Sequence, residues 1–180
     1  ALELMTVDPE HEAWPAFTQR LFGQNRFAIK LGLERMRRAL GELGLAPPGH
    51  RVVCVAGTNG KGTTASCIAE MLRAHGLRVG LYTSPHLIDL EERFRIDGVP
   101  APRELVLEVG HEILGRFGGP TAEPRLTFFE LTTAMAARIF SRACADVAVY
   151  EVGLGGRLDA VNALEPDVSV ITTIGFDHQE

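Results

Sequence analysis

Val52-Val53-Cys54-Val55-Ala56-Gly57-Thr58-Asn59-Gly60-Lys61-Gly62-Thr63-Thr64 reads as a buried strand, a glycine-rich turn carrying one lysine, and the start of a helix. Successive amide N–H groups in such a turn can converge on one anion. The helix N-terminus behind them adds a partial positive charge, and Lys61 adds a full one. Glycine at 57, 60 and 62 lets a phosphate approach the backbone. Thr63 and Thr64 place hydroxyls at the helix start, where one can ligate Mg²⁺ on the phosphates. The match to the common phosphate-loop pattern is incomplete: Val55 stands where that pattern has glycine, and Gly62 separates the lysine from the first threonine. The stretch is read as a nucleoside triphosphate site, with Thr58, Asn59, Gly60, Lys61, Gly62 and Thr63 as its ATP-binding residues.

The rest of the chain supplies what such a loop needs around it. Val79–Tyr82, Val147–Tyr150 and Val168–Ile174 are continuous apolar runs, the mark of strands covered on both faces of a parallel sheet. Between them lie stretches of helical period. Ala65, Ile68, Ala69 and Leu72 share one face; Leu105, Val109, Ile113 and Leu114 share another. Thr127–Ala143 is apolar on two sides and so belongs between layers. Strands alternating with helices predict an α/β fold with a doubly wound, mostly parallel sheet and right-handed crossovers. A small hairpin is expected at Asp97-Gly98. Residues 1–50 read as a helical leader, with helices around Trp14–Phe22 and Leu33–Leu43 that end at Gly44 and Pro47-Pro48-Gly49. Residues 51–180 form the phosphate-loop part.

Composition narrows the classes of partner. The chain has 180 residues, 46% hydrophobic and 23% charged. That is enough for one ordered domain with a real core. A net charge of −5 argues against general binding to nucleic acid or to a membrane surface. Three scattered cysteines without a C-x-x-C pair fit a reduced, cytoplasmic protein. No apolar run is long enough to span a bilayer, and the acidic first residues are wrong for a signal peptide. The partners expected are small molecules, acting on a monomer.

Each apolar strand is followed at once by a motif: the phosphate loop, Ser84, Glu151 with Gly153-Leu154-Gly155-Gly156-Arg157-Leu158-Asp159, and Asp177-His178. In a parallel sheet these strand ends share one edge, where open α/β sheets bind ligands. A carboxylate directly behind a buried strand is unfavourable without a cation. Beside a triphosphate that cation is most simply Mg²⁺. Ser84, Glu151 and His178 are therefore the candidate metal ligands, and Lys61, Glu151 and His178 the candidate catalytic residues. A salt bridge from Glu151 to Arg157 is the structural alternative.

Five segments together resemble the folylpolyglutamate synthase/dihydrofolate synthase family of Mur-ligase-like, ATP-dependent amide-forming enzymes: Gly57–Thr63, Thr83–Leu87, Thr127–Glu130, Glu151–Asp159 and Ile171–His178. The resemblance runs from about Ile29 to Glu180 and implies an N-terminal portion of a larger enzyme. The glutamate-binding domain and a metal-supporting lysine would lie beyond Glu180. It implies that ATP and Mg²⁺ are used to join L-glutamate to dihydropteroate or a folate through an acyl phosphate. It also implies a pterin site among Leu31, Thr127, Phe128, Phe129, Glu130, Leu158, Asp159 and Ala160, with Phe129 stacking and Asp159 hydrogen-bonding. From the residues alone, Thr127 and Phe129 also fit a helix cap and a core aromatic. The rival functions are a Mur-type ligase acting on a nucleotide-sugar peptide, and an ATP-binding module that makes no bond.

Overall fold

The apolar run Arg51–Ala56 forms β1, and its neighbours follow from the same pattern of burial. Val147–Glu151 (β5) is buried at every residue and pairs with β1 in parallel, Val55 opposite Glu151. Val79–Tyr82 (β2), also wholly buried, lies on the far side of β5 with Tyr82 opposite Tyr150. Phe94–Ile96 (β3) and Val99–Pro100 (β4) form the antiparallel hairpin expected at Asp97-Gly98, and Val168–Ile171 (β6) pairs in parallel with β1. A computed structural model gives this architecture; residues 9–24 and 32–175 are described, with side chains described from Ala13. The sheet has six strands in the order β4-β3-β2-β5-β1-β6.

Helices cover both faces. Lys61–Ala74 (α3) lays Ala65 and Ala69 over a patch of Val55, Val79, Leu81, Val147 and Val149. The other face carries the larger core. Pro9–Phe22 (α1), Glu34–Glu42 (α2), Arg103–Phe117 (α4) and Phe128–Arg142 (α5) pack there around Tyr82, Phe94, Met135, Phe140 and Tyr150. Helix α5 is the between-layers helix that its two apolar sides predict: eleven of its residues are buried, Thr132 and Thr133 among them. The fold is thus a doubly wound, mostly parallel α/β sheet.

The last strand differs from expectation. The run Val168–Ile174 predicts a strand covered on both faces, yet β6 spans Val168–Ile171 and, among the described residues, pairs with β1 alone. Val168, Ile171 and Ile174 are 52%, 62% and 83% exposed. Only Val170 reaches the cluster beneath α3, and the other three residues of β6 are exposed. An apolar run reports β-propensity, and its place in the sheet order is a separate matter.

Candidate active site

Register puts the motifs together. Val55 lies opposite Glu151 and Tyr82 opposite Tyr150, so Gly57, Ser84 and Glu151 all emerge from the carboxyl ends of adjacent strands. Three of the four motifs, the glycine-rich loop, Ser84 and Glu151, close on one another directly. The Ser84 amide donates to Glu151 Oε2 at 2.9 Å. A Cβ at Gly62 would lie 3.3 Å from both Glu151 carboxylate oxygens, so the glycine that breaks the common loop pattern is where the carboxylate meets the first turn of α3. The alternative pairing of Glu151 with Arg157 is not formed: Arg157 is exposed, and the salt bridges among described residues do not include it.

The loop's backbone and its lysine have the chemistry that suits an anion. Gly60, at φ 77°, opens α3 with no side-chain cap and no acidic residue in the first turn. No side chain of the first turn offsets the positive end of the helix, and the one carboxylate that meets it is Glu151, through the Gly62 amide. Lys61 Nζ donates to the carbonyls of Gly57 at 2.9 Å and Thr58 at 3.1 Å, which holds the ammonium over the turn. The turn is stitched to the segment after β6. The Thr58 amide donates to Thr173 O at 2.7 Å, the Gly175 amide donates to Thr58 Oγ1 at 3.0 Å, and Thr172 Oγ1 donates to Asn59 O at 2.8 Å. Gly57, at φ 134°, admits this approach, for a Cβ there would fall 2.0 Å from Thr172 Oγ1. Only glycine takes that backbone conformation and that contact without strain. Loop, Gly153–Gly156 and Ile171–Gly175 together wall a cleft of about 490 Å³ with Lys61 on its surface.

Glu151 is 6% exposed. Burial pushes its carboxyl above the usual range, while the amides of Ser84 and Gly62 and the charges of Lys61 and Arg93 pull it back. A buried carboxylate with no cationic side chain in salt-bridge contact among the described residues suits a hard cation, and Ser84 stands beside it with a hydroxyl. These donors fit Mg²⁺, which keeps few protein ligands and takes the remainder from phosphate oxygens and water. Among the described residues no three His, Cys, Asp or Glu side chains gather into a metal cluster of their own. His178 and Leu31 lie outside the described residues.

The expected pterin residues divide. Thr127 caps α5: its Oγ1 accepts from the Glu130 amide, and Glu130 Oε2 accepts from the Thr127 amide at 2.8 Å. The two bonds make a reciprocal capping box. The other Glu130 oxygen accepts from Arg35 at 3.0 Å. Phe128 is buried, beside Phe22 and under the Arg93 guanidinium. Phe129 is half-buried and packs beneath Gly153, where a Cβ would meet its ring at 2.6 Å. Asp159 is buried, with its oxygens taken by the amides of Gly153, Leu154 and Val161; desolvation nonetheless raises its pKa. It shapes the Gly153–Gly156 turn. Ala160 is buried in the 3-10 turn that follows, and Leu158 is exposed. Sequence reading passed over Arg35, Arg93 and the threonines that brace the loop. Glu130 at the third position of the helix signalled the capping box, but a partner 95 residues away leaves no local trace.

Comparison with known proteins decides the family. Residues 55–180 match the model of the Mur ligase middle domain. The chain belongs to the Mur ligase middle-domain family. Within that family it is similar to the Escherichia coli dihydrofolate synthase/folylpolyglutamate synthase, 40% identical over 168 residues, which cover 93% of this chain and 38% of the relative. It is also similar to the Mycobacterium tuberculosis folylpolyglutamate synthase complexed with ADP, at TM-score 0.85 and 34% identity over 95% of this chain and 39% of that one. A bifunctional folylpolyglutamate synthase/dihydrofolate synthase with Mn, AMPPNP and L-glutamate bound aligns at TM-score 0.76 and 39% identity, over 91% of this chain and 39% of that one. The Mur ligase middle-domain chain therefore spans about two fifths of the length of these relatives. Among the described residues, no helix is long and apolar enough to cross a membrane.

Proposed function

We propose that this chain is the ATP-binding part of a ligase that joins L-glutamate to dihydropteroate or a folate. One observation carries the reading. The phosphate loop with Lys61 and the buried carboxylate of Glu151 meet on one sheet edge, across Gly62, with the Ser84 amide on the same carboxylate. In the proposed reaction the acceptor carboxylate takes the γ-phosphoryl group, giving an acyl phosphate and ADP. The glutamate amine then displaces phosphate to form the amide. Thr58, Asn59, Gly60, Gly62 and Thr63 offer backbone and hydroxyl groups to the phosphates, and Lys61 neutralises the charge that builds on them. Ser84 and Glu151, with His178, would hold Mg²⁺, whose contribution is to offset phosphate charge and fix the phosphate geometry. The Thr127–Phe129 end of α5, with Leu31 and the Leu158–Ala160 segment, would form the acceptor wall.

In this reading residues 1–50 are a helical leader and 51–180 the nucleotide-binding part, while L-glutamate is bound by protein outside these 180 residues. The similarity to relatives more than twice as long supports that division. We further propose a cytoplasmic monomer; the net charge of −5 favours small-molecule partners over nucleic acid.

The test is ADP release by the intact protein given ATP, Mg²⁺, L-glutamate and one acceptor at a time. Release that needs a pteroate-type acid supports the proposal. Release that needs a nucleotide-sugar peptide would assign the Mur-type reaction, and full-rate release with no acceptor would leave only an ATPase module.

A further inference from the structure

Arg93 is a buried cation with no task in the chemistry described above. It closes the 3-10 turn Leu90–Arg93 after β2, and its carbonyl accepts from the Thr83 amide at 3.2 Å. The residue is 6% exposed. Its Nε donates to His86 Nδ1 at 2.7 Å, and its guanidinium carbon sits 5.3 Å from the centre of the Phe128 ring. Among the described residues no carboxylate comes within salt-bridge distance of it, and no acceptor engages its two terminal nitrogens. Three other arginines are treated differently. Arg35, Arg103 and Arg138 are all more exposed than Arg93, and each is paired with a glutamate: Glu130, Glu91 and Glu112. A guanidinium withdrawn from water without an anion is unfavourable, and an apolar side chain would pack against Phe128 without that penalty.

What remains open on Arg93 has a definite shape. His86 takes Nε and Phe128 covers one face, so the edge formed by the two terminal nitrogens is the unengaged part, a fork that matches a carboxylate. Position narrows the ligand. Phe128 opens α5 directly behind the Thr127 cap, on the acceptor side, and the charge of Arg93 is felt at the Glu151 carboxyl, on the phosphate side. The guanidinium thus lies against the start of α5, the wall that would hold the acceptor, and its own backbone is tied to Thr83, the neighbour of Ser84.

We propose that Arg93 grips the acceptor's carboxylate, the group that receives the phosphoryl transfer. The inference rests on the ligase reading above and adds the residue that selects a free acid. His86 acts through Arg93: by accepting at Nδ1 it fixes the guanidinium's roll about its own axis.

The test measures binding of pteroate and of its methyl ester to the intact protein, with Mg²⁺ and a non-hydrolysable ATP analogue, by quenching of pterin fluorescence. Wild type is expected to favour the acid over the ester by about 10- to 100-fold, as a charge-assisted hydrogen-bond pair gives. Arg93→Met should bind the ester as wild type does and lose the preference for the acid, to within about twofold, with Arg93→Lys in between. If Arg93→Met weakens acid and ester equally, or keeps the preference, the inference is wrong while the ligase reading stands. If wild type binds neither compound, the ligase reading falls and takes the inference with it. Should Arg93→Met fail to fold, Arg93→Lys decides by the same ratio: an unchanged preference overturns the proposal.

Discussion

Lys61 and Gly62 are neighbours with opposite sensitivities. Lys61 donates only to carbonyls of its own loop, so removing its ammonium strips two half-buried hydrogen bonds and leaves the core untouched. Lys61→Ala should therefore melt within about 2 °C of wild type, in keeping with a surface change of under about 0.5 kcal/mol. ATP binding, read by calorimetry, should fall at least about 100-fold. Gly62 lies in the first turn of α3, where alanine is favoured over glycine by at most about 1 kcal/mol. A methyl there meets both Glu151 oxygens at 3.3 Å, so the carboxylate must give way. Gly62→Ala should melt no lower than wild type, while the Mg²⁺ concentration that half-saturates nucleotide binding rises about tenfold. A variant equally stable and unchanged in Mg²⁺ dependence would show that the Glu151 position carries no metal function.

At the scale of elements, helix boundaries were the legible part. The Thr127-x-x-Glu130 spacing marks a capping box at the start of α5, and the box is present with both reciprocal bonds. Thr127→Ala should lower stability by about 1 kcal/mol, seen as an earlier urea midpoint with unchanged slope. A shift several times larger would mean that the Glu130–Arg35 pair fails with it. The hairpin at Asp97-Gly98 was equally plain, since a two-residue turn with both residues at positive φ has a narrow choice of side chains. Strand β6 was legible as a strand, but its burial was not: within these 180 residues it pairs with β1 alone. Hydrophobicity told that residues 168–171 form a strand; which neighbours flank it depends on the order of strands, and that order is set by crossovers far along the chain.

The whole molecule shows its coupling at the opposite edge of the sheet. His50, buried just before β1, has Nε2 3.0 Å from Tyr150 Oη, beneath the site. Burial lowers its pKa, and the charge of Asp167 offsets this only in part. The unfolded chain takes up a proton at the ordinary value of about 6.5, while the folded protein resists until lower pH. Stability from this group is therefore complete above that ordinary value and declines as pH falls below it. Urea denaturation should show this decline from about pH 6.5 downward. His50→Gln should flatten it, and an unaltered slope in that variant would assign the acid sensitivity elsewhere.

The sequence by itself settled the alternation of strands and helices, the glycine-rich turn before α3, the cap of α5 and the strand-end positions of Ser84 and Glu151. These follow from periodicity, turn chemistry and the rule that parallel strands share a carboxyl edge, all of which operate over a few residues or on element order alone. Tertiary structure decided what those residues touch. That Gly62 backs onto Glu151, that Thr172 and Thr173 brace the loop, and that Arg93 is buried against Phe128 without a counter-ion are contacts between distant segments. Side-chain packing fixes such contacts, and no local pattern encodes them.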